Sequence, residues 1–233
     1  MILYYVRHAD PIYDPDSLTS LGLRQAEAVG RRLASRGLDR IYASTSNRAI
    51  LTATPASELT GKPIETLDWC NEKHAGATMN VTDPETGKRS WCFFSPYYRR
   101  LFASPEVRAL GDKWYTHEAF ADTAFAEGIT TAQRCCDEFL LSLGYRHDRE
   151  AGYYIAEQPS KERIALFAHQ GYGFLFLSAL LDVPYPWLST HTDITRSSVS
   201  AIEFTERDGI VIPRMFSMSN EGHLYGDRLP CFL

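Results

Sequence analysis

The chain has 233 residues, with 24 basic and 29 acidic side chains, so its formal net charge at pH 7 is −5. Its 44% hydrophobic and 23% charged residues are ordinary values for a globular protein and exclude a disordered or fibrous chain. The mild acidity argues against binding of nucleic acid or of an anionic membrane over a broad surface. A small local site for an anion is compatible with this charge.

The cysteines indicate a reducing compartment. Five are present, and none forms a Cys-x-x-Cys pair or lies at zinc-ligand spacing from a histidine. We therefore expect free thiols, and neither a disulfide framework nor a zinc site. The apolar run that begins the chain ends after six residues, which is too short for a signal peptide, and no later run approaches the length of a membrane span. The expected location is cytoplasmic.

Strands and helices alternate in the first part of the chain. Apolar periodicity and capping residues predict a strand at Ile2–Val6, a helix capped by Thr19 and ending near Ser35 before Gly37, a strand at Ile41–Ala43, a helix from Ser44 or Ser46 towards Leu59, and a strand at Ile64–Leu67. Pro55 lies inside the second helix and is expected to kink or shorten it.

The segment from about residue 71 to 128 interrupts this alternation and is rich in aromatic residues. Helical patterns occur at Tyr97–Phe102 and Val107–Leu110. We expect an insertion that packs over the main sheet and covers the active site. Its aromatic side chains form either the insertion's own core or a wall that stacks against substrate.

The rest of the chain returns to alternating elements. The pattern predicts a helix at Thr130–Leu143, a strand at Arg163–Ala168, a helix at Tyr172–Leu181, and a terminal hairpin of Ser198–Glu206 and Ile210–Phe216 around an Asp208-Gly209 turn. The expected fold is a single three-layer α/β/α domain over residues 1–233, with a mostly parallel sheet and the aromatic-rich cap inserted.

Two histidines each follow a predicted buried strand. His8 comes after the first strand and His169 after Arg163–Ala168. In sheets of this kind ligands bind beyond the carboxyl ends of the strands, so both histidines are expected at the same edge. Arg7 offers a planar fork of donors to an anion, and its charge disfavours protonation of His8, which leaves a nucleophilic lone pair. The alternative is a surface arginine beside a hydrogen-bonded core histidine.

Four motifs occur in an order that resembles the histidine phosphatase superfamily, which includes the cofactor-dependent phosphoglycerate mutases. They are Val6-Arg7-His8-Ala9-Asp10, the LTxxGxxQA pattern at 18–26, the SxxxRAxxTA pattern at 44–53, and Phe167-Ala168-His169. Ser197-Ser198-Val199-Ser200 and the NxxHL pattern at 220–224 are also similar. The resemblance runs from Ile2 to about residue 72 and resumes near Glu127, which is about two thirds of the chain.

The resemblance implies a phosphohistidine mechanism without a metal or an organic cofactor. His8 matches the nucleophile, while Arg7, Arg48 and His169 match the residues that hold the phosphoryl oxygens, with His169 also counted as catalytic. Glu72, in Asn71-Glu72-Lys73-His74-Ala75-Gly76, is similar in position to the general acid and base of the mutases. Glu127 is the competing carboxylate, although its surroundings resemble a structural helix start.

Three substitutions depart from the mutase pattern. Ala9 replaces the usual glycine, and the segment after Asp10 lacks the serine and asparagine of the mutases. Arg99 and Arg100 are separated from Glu72 by a distance similar to that of the arginine pair with which mutases bind a second acidic group. The alternative interpretation of Arg99 and Arg100 is a solvated basic pair on a helix.

The expected function is therefore a phosphatase that hydrolyses a small phosphorylated metabolite. A phosphoglycerate-type mutase is the main alternative, and a non-catalytic phospholigand-binding protein is the remote one. The His8-Ala9-Asp10 triplet also resembles a metallohydrolase fragment, but it lacks further ligands at motif spacing. The sequence predicts neither the substrate nor the oligomeric state.

Overall fold

The computed structural model describes residues 1–231. Its strands are β1 (Ile2–Arg7), β2 (Pro11–Tyr13), β3 (Asp16–Leu18), β4 (Arg40–Ser44), β5 (Ile64–Leu67), β6 (Asn80–Thr82), β7 (Arg89–Trp91), β8 (Tyr145–Asp148), β9 (Tyr153–Ala156), β10 (Arg163–Ala168), β11 (Val199–Glu203), β12 (Ile210–Val211) and β13 (Arg214–Asn220). Its α-helices are α1 (Ser20–Ala34), α2 (Asn47–Thr60), α3 (Glu72–Met79), α4 (Pro96–Ala103), α5 (Pro105–Ala109), α6 (Phe125–Ser142), α7 (Gln170–Leu181), α8 (Tyr185–His191) and α9 (Gly222–Gly226).

A six-stranded sheet in the order β13-β11-β1-β10-β4-β5 forms the centre of the molecule. The four strands β1, β10, β4 and β5 are parallel, while β11 runs antiparallel to both of its neighbours, β1 and β13. Arg7 pairs with Ala168, so the parallel neighbours β1 and β10 end in step. The residues that follow these two strands therefore start from the same edge of the sheet.

The sheet is covered on both faces. Side chains of a strand alternate between the two faces, so a fully buried strand is apolar on both. In β1 and β10, one set packs with α6 and α7 and the other with α1 and α2. The first set contains Leu3, Tyr5, Ile164, Leu166 and Ala168, and the second contains Val6, Ala165 and Phe167. The three-layer α/β/α prediction is confirmed.

The expectation that Pro55 would shorten its helix is wrong, because α2 continues past it to Thr60, whereas a kink at Pro55 stays a prediction. A proline inside a helix removes one backbone hydrogen bond and costs about 3 kcal/mol. Here α2 packs closely against α1: a Cβ on Gly30 would lie 2.7 Å from the Cβ of Pro55. This packing against α1 is a tertiary contact that local sequence cannot show.

Several boundaries differ from the predictions. Helix α6 begins at Phe125, inside the predicted insertion, and α7 begins at Gln170. The terminal hairpin is only partly formed, because β11 pairs with β13 while β12 joins β9 and β8 in a separate sheet. The hairpin of β2 and β3 and the strands β8 and β9 were not predicted, since they are short and mix polar with apolar residues.

The aromatic residues of the 71–128 segment are mostly interior. Trp114, Phe120 and Phe125 are buried and pack around one another, and Trp114 stacks on Tyr185 of α8 at 5.8 Å between ring centroids. This favours the core interpretation for most of the cluster, whereas Phe94 is 58% exposed. The single-domain organisation stays a prediction. Among the described helices, none has the length and apolar character needed to cross a lipid bilayer.

A buried histidine connects α6, β8 and the end of α7. The Nδ1 atom of His147 is 2.9 Å from an Asp137 oxygen, and its Nε2 atom is 2.9 Å from an Asp182 oxygen. Arg149 binds both carboxylates. Burial alone would lower the pKa of His147, but the hydrogen bonds to Asp137 and Asp182 outweigh it and raise the pKa. Two carboxylate partners require both ring nitrogens to donate, so His147 is an imidazolium.

We expect His147→Gln to lower the free energy of unfolding by about 2 kcal/mol near pH 6, because two partly buried carboxylates lose a cationic partner. The folded-state pKa lies above the ordinary value of 6.5. The stabilisation is therefore complete below about pH 6.5 and is lost as pH rises through the raised pKa. Urea denaturation of both proteins from about pH 6 to pH 9 measures it. A difference that stays constant or grows with pH would contradict the imidazolium.

Candidate active site

The two strand-end histidines lie side by side. His8 follows β1, and its backbone N–H donates to the Ala168 carbonyl at 2.9 Å, at the end of β10. The His8 and His169 ring centroids are 5.2 Å apart at an angle of 60°. Both side chains are buried. The parallel pairing of β1 and β10 thus brings together two residues that are 161 positions apart in the sequence.

The backbone fixes the tautomer of His8. Its Nδ1 atom is 2.8 Å from the carbonyl oxygen of Ala9. A carbonyl can only accept a hydrogen bond, so Nδ1 carries the proton and Nε2 keeps its lone pair. Burial, and next the charge of Arg7, lower the pKa of His8 to about 3. His8 is therefore a neutral imidazole with a free lone pair at neutral pH.

Two arginines next to these rings have donors without partners. Arg7 donates from Nη1 to the Ile194 carbonyl at 2.7 Å, but its Nε is buried and lacks a hydrogen-bond partner among the described residues. The Nε of Arg48 is in the same condition. Buried donors are nearly always paired in proteins, so two unpaired guanidinium donors in one place indicate a site for an anion.

His169 is held on both nitrogens. Nη2 of Arg48 lies 3.2 Å from Nδ1 of His169, and because a guanidinium can only donate, Nδ1 is the acceptor. Nε2 therefore carries the proton, and it lies 2.8 Å from the Ser44 hydroxyl and 3.1 Å from that of Ser46. Burial, followed by the charges of its neighbours, lowers the pKa of His169 well below its ordinary value.

Glu72 reaches the same cluster from the first turn of α3. Its Oε2 lies 3.2 Å from Nδ1 of His169, and its Oε1 accepts from the backbone N–H of Tyr172 at 3.2 Å. Burial raises the pKa of Glu72 despite the opposing charges of Arg7 and Arg48. A phosphate dianion beside this carboxyl would raise its pKa further, because like charge disfavours ionisation. A protonated Glu72 can donate to His169 and later to a leaving group.

The glycine-containing motif near residue 22 holds the loop after His8. The side chain of Gln25 accepts from the backbone N–H of Asp10 at 2.9 Å, and the Thr19 N–H donates to the Asp10 carbonyl at 3.0 Å. A Cβ on Gly22 would collide with that same carbonyl. The residues of the LTxxGxxQA pattern thus hold the N-terminal part of α1 against the backbone that follows His8.

His223 of the NxxHL pattern lies behind His8. Its Nε2 is 3.2 Å from the Ser197 hydroxyl, and the Ser197 N–H donates to the His8 carbonyl at 3.1 Å. Nδ1 accepts from Arg32 at 3.2 Å. Burial and the Arg32 charge lower the pKa of His223 to about 4, so its ring is neutral at neutral pH. Through Ser197, this neutral ring supports the backbone of His8.

Arg99 and Arg100 have partners outside this cluster. Arg99 donates to the carbonyls of Phe93 and Thr190 at 3.0 and 3.2 Å, and Arg100 pairs with Glu85. Their role in substrate binding stays a prediction. Glu127 lies in the first turn of α6 and lines a separate cavity together with Arg134 and Trp69.

A groove of about 490 Å³ extends from Arg7 along the carboxyl edge of the sheet. Asp10 and Arg196 pair with each other across it, and Asp193 and the exposed ring of Phe94 form further parts of the wall. The groove is large enough for a small phosphorylated molecule. Phe94 is the member of the aromatic cluster that lines this groove.

The sequence interpretation missed Asp16 and Tyr13. Oδ1 of Asp16 accepts from Nη1 of Arg48 at 2.8 Å, and the Tyr13 ring lies 5.5 Å from the Arg48 guanidinium carbon. Both belong to the short hairpin of β2 and β3. The available signal was the Asp14-Pro15 turn between two short segments, which marks a reversal of the chain.

The cluster also contains potential metal ligands. Ligand atoms of His8, Glu72 and His169 lie within 4.8 Å of one another, a spacing that a metal ion could bridge. The two adjacent guanidiniums of Arg7 and Arg48 oppose a second cation at this place. Two cationic and two neutral hydrogen-bonding groups suit a phosphate better than a metal ion.

Comparison with known proteins agrees with this geometry. The family model of the histidine phosphatase superfamily (branch 1) matches residues 3–125, which is more than half of the chain. The chain belongs to the histidine phosphatase superfamily. The matched range includes Arg7, His8, Arg48 and Glu72, and the family resemblance inferred from the motifs is confirmed.

Solved structures share the fold of this superfamily member. Phosphoserine phosphatase from Entamoeba histolytica in complex with 3-phosphoglyceric acid matches at a TM-score of 0.58 and 16% identity, over 96% of this chain and 98% of that chain. Mycobacterial glucosyl-3-phosphoglycerate phosphatase matches at 0.58 and 17%, over 94% and 98%. The α-ribazole phosphatase from Shigella flexneri matches at 0.56 and 19%, over 95% and 97%.

We expect Gly171→Ala to lower the free energy of unfolding by about 1–3 kcal/mol and to displace Glu72. A Cβ on Gly171 would lie 2.6 Å from Oε1 of Glu72 and 2.5 Å from the Trp91 ring, and overpacking of this kind is destabilising. Urea denaturation measures the loss. Gly76→Ala in α3 is the control: its Cβ meets only ordinary contacts, so it should be neutral or stabilise by up to about 1 kcal/mol. Equal effects of the two variants would contradict the close approach.

Proposed function

We propose that this superfamily member is a phosphatase that hydrolyses a small phosphorylated metabolite through a phosphohistidine at Nε2 of His8. The observation that carries the proposal is the hydrogen bond from Nδ1 of His8 to the Ala9 carbonyl. It leaves Nε2 unprotonated beside two guanidiniums with unpaired buried donors. A nucleophile next to an anion site is the arrangement that phosphoryl transfer requires.

The first step transfers the phosphoryl group to His8. Nε2 forms a bond to phosphorus while the bond from phosphorus to the ester oxygen breaks. Glu72 donates its proton to the departing oxygen, so the leaving group is a neutral alcohol. In the second step the ionised Glu72 takes a proton from water, which attacks phosphorus and releases His8 and inorganic phosphate.

Arg7, Arg48 and His169 bind the phosphoryl oxygens in this proposal. The transferring group spreads negative charge over three oxygens, so electrostatic stabilisation dominates the chemistry. A pair of unit charges at about 4 Å contributes on the order of 4 kcal/mol at an effective dielectric constant of about 20. His169, whose Nε2–H now donates to Ser44, can rotate or shift that donor to a phosphoryl oxygen without acquiring a charge.

Hydrolysis is favoured over the mutase alternative. A mutase must grip a second acidic group of its substrate, and the two arginines predicted for this task donate to Phe93, Thr190 and Glu85 instead. In the groove beside Arg7, Arg196 pairs with Asp10, so this arginine is not free to bind a second acidic group either. A non-catalytic binding protein has no need of the nucleophile and acid that His8 and Glu72 supply.

We expect wild-type protein, quenched in alkaline detergent during turnover of p-nitrophenyl [³²P]phosphate, to carry label that is stable to alkali and lost in acid, and His8→Ala to carry none. Turnover of His8→Ala should fall by at least about 10³-fold, because the covalent route is lost. His191→Ala, which removes an exposed histidine of α8, is the control and should label normally.

The same experiment in EDTA tests independence from metal ions. Labelling and turnover should be unchanged, because Arg7 and Arg48 supply the positive charge that a metal would otherwise contribute. Undiminished turnover in His8→Ala would contradict the phosphohistidine route, and loss of labelling in EDTA would contradict metal independence alone.

We expect Glu72→Gln to lower kcat/KM for an alkyl phosphate by about 10²–10⁴-fold and to have much less effect on p-nitrophenyl phosphate. The nitrophenolate departs without a proton, whereas an alkoxide does not. In the wild type, kcat/KM for the alkyl ester should fall as pH rises through the raised pKa of Glu72, and Glu72→Gln should lose this dependence.

Glu127→Gln is the matched control, since Glu127 is the other carboxylate that the sequence offered for this role. It should change neither ester's kinetics. A leaving-group-dependent loss in Glu127→Gln, with normal kinetics in Glu72→Gln, would contradict the assignment of the acid.

A further inference from the structure

The short hairpin of β2 and β3 places one acidic side chain, Asp16, next to the proposed anion site. Oδ1 of Asp16 accepts from Nη1 of Arg48 at 2.8 Å, and only 12% of the Arg48 side chain is exposed. The Tyr13 ring, on the other strand of the hairpin, lies 5.5 Å from the guanidinium carbon. The hairpin therefore contacts Arg48 through both a charge and a ring.

The same carboxylate caps the helix that carries Arg48. Oδ2 of Asp16 accepts from the backbone N–H of Asn47, the first residue of α2, at 2.8 Å. The Asn47 amide in turn donates to the Asp16 carbonyl at 2.8 Å. A helix start leaves backbone N–H groups unpaired, and an acidic group there also complements the helix dipole. Asp16 performs this capping from outside the helix.

Capping by Asp16 leaves the regular cap residue free for other contacts. Ser46 occupies the N-cap position of α2, yet its side chain makes no capping hydrogen bond. Its hydroxyl instead lies 3.1 Å from Nε2 of His169 and 3.4 Å from the Ser44 hydroxyl. The Asp16 carboxylate thus affects two groups of the site: it binds Arg48 directly, and it leaves the Ser46 side chain free by capping α2.

We propose that Asp16 is the positioning residue of the phosphate site. By binding Nη1, it orients the Arg48 guanidinium so that Nη2 contacts His169 and the unpaired Nε remains available to a phosphoryl group. By capping α2, it allows Ser46 to hold His169. This inference rests on the proposed function, because the oriented donors are those assigned to phosphate. Asp16 contacts neither the phosphoryl group nor the leaving group in this scheme.

The negative charge of Asp16 and its positioning of Arg48 have opposite effects on the affinity for phosphate. An anion beside the site repels phosphate, so removal of Asp16 would tighten phosphate binding if Arg48 kept its place without it. If Asp16 orients the guanidinium, its removal weakens phosphate binding in spite of the charge gained. The sign of the change therefore separates the two roles.

The test is the affinity for inorganic phosphate, measured by isothermal titration calorimetry. We expect Asp16→Ala to weaken binding about tenfold, since misplacement of a binding group is costly. Asp16→Asn should weaken it less, because its amide oxygen can still cap α2. Glu162→Ala, which breaks the Arg40–Glu162 pair at the opposite edge of the sheet, is the control and should bind normally. The unfolding free energies show that each variant is folded.

A double-mutant cycle with Arg48→Ala separates positioning from a general structural role. In that background Asp16→Ala should weaken binding much less than tenfold, because Arg48, the group it orients, is absent and only the effect through Ser46 and His169 remains. The same tenfold weakening in the Arg48→Ala background, or tighter phosphate binding by Asp16→Ala or Asp16→Asn, would overturn the inference. A wild type that binds no phosphate would contradict the proposed function itself, whereas unchanged binding in the Asp16 variants would contradict this inference alone.

Discussion

One hydrogen bond determines what the site can do. His8 donates from Nδ1 to the carbonyl of Ala9, the next residue along the chain, and this contact places the lone pair of the ring on Nε2. The contact depends on the backbone at the end of β1, which the Ser197 N–H and the Asp10 contacts of α1 keep in place. Without this restraint, a buried imidazole could present a proton where the mechanism needs an electron pair.

The sheet order brings the other groups to that lone pair. Strands β1, β10 and β4 are neighbours, and each ends at a residue of the cluster or just before one: His8, His169 and Ser44. Helix α2, which follows β4, supplies Arg48. The result is a concentration of permanent positive charge on two arginines, between rings that burial keeps neutral. This arrangement favours an anion and leaves His8, the proposed nucleophile, unprotonated.

Sequence alone was sufficient for the sheet edge and for most of the cluster. His8 and His169 were found because each follows a continuous apolar strand, and Arg48 was assigned by the family resemblance of the SxxxRAxxTA pattern. Glu72 could be assigned only by resemblance, since nothing in its local sequence shows that α3 turns back to the N-terminus of α7. Asp16 was missed because its strand has three residues and no apolar alternation. Its partner Arg48 is 32 positions away, and only the tertiary fold brings the two together.

Tertiary contacts also explain where the predicted fold differs from the structure. Helix α2 continues past Pro55 and packs there against α1, and β12 pairs with β9 instead of completing the expected hairpin. Both outcomes depend on elements distant in sequence. Local patterns predicted the buried strands well because a strand covered on both faces has little freedom to be anything but apolar.

Measurement of the protonation state of His8 tests this account most directly. Two-dimensional ¹H–¹⁵N NMR of protein with labelled histidine rings resolves which ring nitrogen carries the proton. We expect His8 to be protonated at Nδ1 and unprotonated at Nε2 throughout the range from about pH 5 to 8, since its pKa is lowered to about 3. His8→Gln assigns the signal. A ring that is protonated at Nε2, or that becomes an imidazolium near pH 6.5, would contradict the account.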